Sequence, residues 1–463
     1  MARSTAVRMT TVVGAAALVL TGCTSSGGSG DGGGGPLTFW VQEDLPDRVA
    51  QTQEIVDAFT EESGVEVELV PVAEDQFSQL ITSAAAAGDL PDVIGGISLP
   101  QVRTLSSNEL VDTEAVGAVM ESLDPSTFSE QAIELTSDDG TQLAIPSESW
   151  LQLLLYRTDL FEAAGLGAPE TYDDILQAAQ QLQSPDVAGF VGATAPGDAF
   201  TEQTFEQVAL GNGCELVDEE GQAQLDTDAC LVAFEFYGDL VTNYSVPGAQ
   251  DVDTTRATYF AGDAAMFVWS SFVLDELAGL RDDARPSCPE CAEDPGFLAA
   301  NTGVVTAIAG PDSTTPAQFG EITSWTITEG AATEDAQAFV EYMMGDGYLP
   351  WIEIAPEGKV PVRAGTPEEP QQFSDAWATL DAGVDTRAPL SEFYSADVLE
   401  TIAAGPEEIS RWGIPQGQGD LLGALQGEQP VATAVSEVAQ GTDPAAAAQR
   451  ADEAVQSIAD SLQ

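Results

Sequence analysis

The chain has 463 residues, enough for two or three ordinary domains and a sizeable core, and a 43% hydrophobic share that fits a globular protein. Its 77 acidic residues against 13 basic ones leave a formal net charge of -64, which repels phosphate backbones and anionic lipid and so excludes nucleic acid and membrane surfaces as partners. Self-repulsion on this scale is screened only at molar salt, where the Debye length falls to roughly 3 Å, so the composition predicts a salt-loving source. The acids run along the whole chain and say nothing about a ligand. There is one lysine, Lys359, and no histidine.

The first 22 residues read as a targeting segment. Arg3 and Arg8 form a basic region, residues 12–20 an apolar one too short to span a bilayer, and Leu20-Thr21-Gly22-Cys23 resembles a lipobox. That resemblance implies cleavage before Cys23 and lipidation of its thiol. Residues 23–36 are nearly all Gly, Ser and Asp after the cysteine, a flexible tether with a reach of roughly 20 Å. The expected location is therefore the outer face of the cytoplasmic membrane. Four cysteines remain in an oxidising compartment, and three pairings are open. The nearest-neighbour one is Cys214–Cys230 with Cys288–Cys291; a zinc site of four thiolates competes, although the usual pair of CxxC knuckles is missing.

In the mature chain Leu37, Phe39 and Val41 alternate as a strand. Pro46–Ser63 reads as a helix with Val49, Val56 and Phe59 inward and Gly64 as its stop. Val65, Val67 and Leu69 alternate again, Glu74–Ala87 is a second helix ended by Gly88, residues 92–94 a third strand, and residues 99–105 a third helix. This β-α-β-α-β order specifies a parallel sheet, in which ligands bind beyond the carboxyl ends of the strands. Residues 150–156 form a buried strand that turns at Arg157-Thr158 into a helix stopped by Gly165. Thr171 with Asp174 opens a helix to Leu182, residues 200–211 and Asp228–Asn243 are further helices, and Asp443 caps a last helix that starts at Pro444.

Several stretches carry a resemblance. The run Leu154-Leu155-Tyr156-Arg157-Thr158-Asp159-Leu160-Phe161, closing on Ala164-Gly165, is similar to the lobe-crossing signature of family 1 extracellular solute-binding proteins, the sugar-binding subunits of ABC importers. Residues 261–272 resemble that family's F-x-x-G-K-A-A-M segment, with Asp263 where lysine is usual. Residues 303–311 with 322–327 resemble the return crossing, and Gly358-Lys359-Val360-Pro361-Val362-Arg363 the third. The resemblance implies an α/β fold, periplasmic-binding-protein-like, with two discontinuous lobes joined by a three-segment hinge: residues 37–145 and 318–357 in the first, 146–317 and 358–463 in the second. It also implies a monomer that captures a mono- or oligosaccharide by closing the hinge and delivers it to membrane permease subunits, without cofactor or metal.

Such a receptor holds sugar C–H faces on aromatic planes and pairs hydroxyls with carboxylates, amides or arginine. Trp40, Trp150, Trp269 and Trp325 are the aromatic candidates, with Trp269 and Trp325 at positions where the family stacks sugars; Trp351 and Tyr394 complete the aromatic set. Glu43, Asp44, Gln76, Asp92, Glu148 and Arg363 are the polar ones. Each tryptophan has core packing as its ordinary alternative, and Asp92 could instead tie down a turn. Chemistry is poorly served: without histidine the usual general base is missing, and an acid-rich chain offers accidental carboxylate pairs that cannot identify a glycosidase. The rival readings are another neutral solute, such as a polyol, glycerol ester or peptide, and a cell-surface glycoside hydrolase.

Overall fold

Alternation of apolar and polar residues makes the first strand, β1 (Leu37–Val41), in which Leu37, Phe39 and Val41 are buried and Thr38 and Trp40 partly exposed. The computed structural model describes residues 35–313 and 315–462, apart from the side chains of Glu74 and Asp75. The targeting segment, Cys23 and all but the end of the tether lie outside the described residues. Helix α1 (Pro46–Ser63) starts on proline and ends on Gly64, whose φ of 79° is the left-handed cap that a side chain would strain. It buries Thr52, Ile55, Val56 and Phe59, while Val49 stays half-buried. Strand β2 (Val67–Pro71), helix α2 (Glu74–Ala87), strand β3 (Val93–Ile97) and helix α3 (Leu99–Ser107) follow. β1 lies between β2 and β3, parallel to both, as the alternating order requires.

The middle of the chain is organised by one long strand, β4 (Ile145–Arg157), buried along almost its whole length. Strands β5 (Met266–Ser270), β6 (Thr302–Val305) and β7 (Gln318–Ile327) complete its surroundings. The first half of β4 pairs antiparallel with β7, from Ile145 opposite Trp325 to Leu151 opposite Gly320. Its second half pairs with β5 from Gln152 to Tyr156, and with β6 from Leu154 to Arg157. β7 in turn lies antiparallel against β3. A single strand thus carries the chain from β7, which borders the parallel set, to an antiparallel group with β5 and β6, and β7 brings it back. A third pass comes with β8 (Val360–Pro361), which pairs with β4 at Ser149 and Glu148. Last, β9 (Ile409–Ser410) adds to β7 in parallel. Among the described residues these nine strands form one hydrogen-bonded network with helices against it, an α/β fold.

Beyond the crossing come α4 (Tyr172–Leu182), α5 (Ala199–Gly211) and α6 (Asp228–Asn243). The Thr171 hydroxyl oxygen accepts the backbone N–H of Asp174 at 3.2 Å, the cap that the sequence calls for. A disulfide joins Cys214, just after α5, to Cys230 in α6, and another joins Cys288 to Cys291, so all four sulfurs are spent. The return chain supplies α7 (Thr333–Met344) and α8 (Tyr348–Glu353), then α9 (Asp420–Leu425), α10 (Pro430–Ala439) and α11 (Pro444–Ser461). α10 packs on α5 and α11 on α6, whereas α9 reaches across to α3. That last contact is close: a Cβ on Gly423 would stand 2.3 Å from the Thr104 hydroxyl and 3.1 Å from the Pro100 carbonyl.

Candidate functional site

The loops after β1 and β3 face α5, the start of α9 and the third pass of the chain across a cavity of about 450 Å³. On the first side, Glu43 turns the chain into α1: its Oε1 accepts the backbone N–H groups of Asp44 at 3.0 Å and Leu45 at 3.1 Å. Arg48, in the first turn of α1, lies 3.5 Å from both Glu43 and the buried Glu357. After β3, Gly96 adopts φ +73° and Ser98 opens α3 in a reciprocal capping box with Gln101.

At the floor, Glu148 on β4 is 1% exposed, and its two oxygens divide the work. Oε1 accepts from Nζ of Lys359 at 2.9 Å, and Oε2 from the indole N–H of Trp351 at 2.9 Å. The Lys359 ammonium also sits 3.7 Å above the Trp351 ring. At the far end, Arg411 is buried between two acids, 2.7 Å from Glu321 and 3.4 Å from Glu206. Glu321 also accepts the first backbone N–H of α3, that of Leu99, at 2.8 Å, and Glu206 accepts that of Trp412 at 2.9 Å. The two acids hold the Arg411 guanidinium in its charged form against burial.

Glu202, one turn before Glu206 on α5, is in a different position. Its Oε2 is enclosed with no hydrogen-bond partner, and burial, reinforced by the charge of Glu206 and opposed by Arg411, pushes its carboxyl up to about 8. Behind the wall formed by Phe272 and Gly358 lies a further buried acid, Asp275, with neither oxygen partnered; burial and the neighbouring Glu357 and Glu276 raise it well above the usual carboxylate range.

Of the residues singled out from sequence, Glu43, Asp44, Glu148, Trp150 and Trp351 line this cavity. The others do not. Trp40 stays on β1, half-buried beside Val70 and Ile94, outside the cavity wall. Gln76 is exposed on α2. Asp92 is used internally, accepting from the backbone N–H and hydroxyl of Thr38 at 2.7 Å each and from Ala332 N–H at 2.8 Å, so it clamps β1 to the start of α7. Trp269 is 7% exposed, its indole donating to the Val252 carbonyl at 3.0 Å under the Arg256 guanidinium. Trp325 is fully buried, stacked on Phe39 with ring centres 5.0 Å apart and closely covered by Gly95. Arg363 donates to the carbonyls of Leu123, at 2.9 Å, and Met344, and is sandwiched by Phe128 and Phe373. Tyr394 spends its hydroxyl on the Leu274 carbonyl. Asp92, Trp269, Trp325, Arg363 and Tyr394 thus tie parts of the chain together away from the cavity wall.

The cavity also takes in Arg48, Glu202, Glu206, Phe272, Glu321, Lys359 and Arg411, none of which the reading by motif had named as ligands. Glu202 and Glu206 share one face of a helix legible from sequence, but among so many acids that spacing stands out only once α5 is set against Arg411.

The profile of the family described as bacterial extracellular solute-binding protein matches residues 42–349. The chain belongs to that family. This solute-binding protein is 27% identical over 324 residues to YcjN of Escherichia coli, named as an ABC transporter periplasmic-binding protein, which spans 68% of this chain and 70% of the relative. Among solved structures it resembles the GacH receptor of Streptomyces glaucescens, determined unliganded and with acarbose, at 19% identity and a TM-score of 0.68 over 92% of this chain and 98% of that one. It also resembles UgpB of Mycobacterium tuberculosis in complex with glycerophosphocholine, at 16% identity and a TM-score of 0.68 over 93% and 99%. At these identities the likeness establishes the fold alone, which is periplasmic-binding-protein-like. Among the described residues no helix is long and apolar enough to cross a membrane.

Proposed function

We propose that this solute-binding protein is the monomeric, lipid-anchored receptor of an ABC importer and that its guest is an uncharged mono- or oligosaccharide. The observation that carries the choice of guest is the state of the cleft's cations. Arg48 is taken by Glu43 and Glu357, Lys359 by Glu148, and Arg411 by Glu206 and Glu321. Every cation lining the cavity has an acid partner among the described residues, and a phosphate or carboxylate guest would want one without. What the cavity does offer is the half-buried side chains of Trp150 and Phe272 beside carboxylates and the amides of Gln203, Gln426 and Gln429. Aromatic planes against C–H faces with polar groups around the rim suit a sugar, and a site built to pair hydroxyls rejects molecules without them. The E. coli relative's name supports the importer role, and acarbose in GacH supports a saccharide over the glycerophosphodiester seen in UgpB.

Closure around the guest needs two bodies, and residues 37–145 with 318–357 against 146–317 with 358–463 remain the division we favour. The split pairing of β4, with β7 before Leu151 and with β5 and β6 after it, supports a crossing within that strand. Affinity and closure are then one equilibrium, because contacts made to both bodies at once favour the shut form. Anchoring through Cys23 would hold the receptor at the membrane beside its permease. A thermal-shift screen against sugars, polyols and glycerol phosphodiesters in molar NaCl tests the reading, with chromatography of the sugars afterwards. Stabilisation by a saccharide with no product is expected; stabilisation by phosphodiesters alone, or turnover, overturns it.

A further inference from the structure

Six acids line the cleft, and four are held by donors: Glu43, Glu148, Glu206 and Glu321. Asp44 is exposed and needs none. Glu202 is the exception. Its Oε2 is enclosed, no donor among the described residues reaches it, and the side chain forms part of the cavity wall. We propose that Glu202 selects the guest, donating a hydrogen bond from an un-ionised carboxyl to an oxygen acceptor of an uncharged carbohydrate at the end of the cleft where Glu206 and Arg411 meet. The inference rests on the sugar-receptor reading above and names the group that enforces it.

The charges that face Glu202 decide its state. Glu206 comes from its own helix, Arg411 from the chain after β9, and Glu321 from β7. Arg411 already serves two carboxylates, so a third ionised acid would stand without a counter-ion in an enclosed site. Between the two neighbours on α5 the proton belongs on Glu202, because Glu206 accepts from Arg411 and from the Trp412 N–H while the enclosed Oε2 of Glu202 meets no donor among the described residues. Burial is the main cause of the upward displacement of the Glu202 carboxyl to about 8, with the charge of Glu206 adding to it and Arg411 opposing it. Ring and bridging oxygens of a saccharide accept hydrogen bonds and cannot donate them, so ionised acids are blind to them and a protonated one is not.

The test has one arm without ligand and one with it. The infrared spectrum of the wild-type protein minus that of Glu202→Gln at neutral pH should show the carbonyl stretch of an un-ionised carboxyl, vanishing as pH rises through about 8. Glu202→Asp serves as a second reference should the amide disturb α5. Calorimetric titration with maltose and with laminaribiose should give affinity that is level below that pH and falls about tenfold per unit above it, the slope of one linked proton. In Glu202→Gln, whose amide also donates, the profile should be flat, and at neutral pH binding should exceed that of Glu202→Leu. An absent band, an affinity that rises with pH, or a glutamine variant no better than leucine overturns the proposal. If neither sugar binds, the sugar reading fails while the infrared result still answers for Glu202.

Discussion

The ammonium of Lys359 stands 2.9 Å from Oε1 of Glu148, on the floor of the cleft and beneath 9% exposure. Glu148 sits on β4 and Lys359 next to β8, so the pair locks the first pass of the chain to the third. Replacing one partner of a buried ion pair leaves the other uncompensated. Glu148→Ala should therefore cost about 3 kcal/mol of stability in denaturant titration at high salt, and Glu148→Ala with Lys359→Met together should cost less than Glu148→Ala alone. A double variant as unstable as the sum of the singles would show that the two do not interact.

The tryptophans separate into structure and site. Trp325→Ala empties a space between Phe39, Phe339 and Trp351 and should destabilise by about 3–5 kcal/mol. Trp150, half-buried against Phe319 at the cavity wall, should behave otherwise. Trp150→Ala is expected to weaken saccharide binding at least tenfold, about 1.4 kcal/mol, with a smaller change in melting. Calorimetry and thermal melts on the same samples decide it; equal loss of melting temperature in both variants would refute the division.

Gly423 on α9 leaves no room for a side chain against Thr104 and Pro100. Gly423→Val should wedge α9 off α3 and lower affinity for the guest, because the Leu422, Gln426 and Gln429 side of the cavity can no longer approach. The expectation is checked by small-angle scattering with and without saturating sugar. A variant that contracts on binding as the wild type does would rule out the wedge.

Buried acids set the direction of the pH dependence. Burial lifts Glu276 to about 7 despite Arg256, and Glu215 to about 7 despite its hydrogen bond from Gln416, with Glu202 higher still. Between the ordinary carboxylate range and these values the folded protein holds protons that the unfolded chain has lost, so stability is present at the lower pH and is lost as pH rises toward 8. Asp124, Asp251 and Asp283, drawn down by their hydrogen bonds, act the other way and lose their contribution only as pH falls below the ordinary carboxylate range. Urea midpoints should therefore peak near pH ~5 and decline toward pH ~8. A midpoint that climbs across that interval would contradict the argument.

The overall charge predicts that melting temperature rises as NaCl increases from about 0.1 M to about 3 M, as self-repulsion is screened. A flat or falling series would mean that the acids are already compensated locally.

Much of the framework could be read before any coordinates. Pro46–Ser63 starts on proline, and it and Glu74–Ala87 both end on a left-handed glycine, local signals that act on the backbone within a few residues. That Glu43 and Asp44 line the cavity was legible because they follow a strand at the carboxyl end of a parallel set, and Glu148 and Trp150 because they lie on the stretch that resembles the family's crossing. The rest of the cleft is long-range. Arg411 meets Glu206 across 205 positions and Glu321 across 90, and nothing local marks any of the three. Trp269 and Trp325 occupy positions that resemble sugar-stacking ones, yet the pleat turns Trp325 onto Phe39, and Trp269 spends its N–H on Val252. Asp92 went to Thr38 because a carboxylate beside two parallel strands finds backbone and hydroxyl donors within reach before it finds a guest.

A chain with a solitary lysine lends itself to chemistry that most proteins forbid. Amine-directed reagents would find, beyond the chain's own amino terminus, only Lys359, and it is sheltered inside the cleft. Its rate of acylation would count how often the cleft admits a reagent to its floor, turning an unmodified protein into a clock for its own breathing.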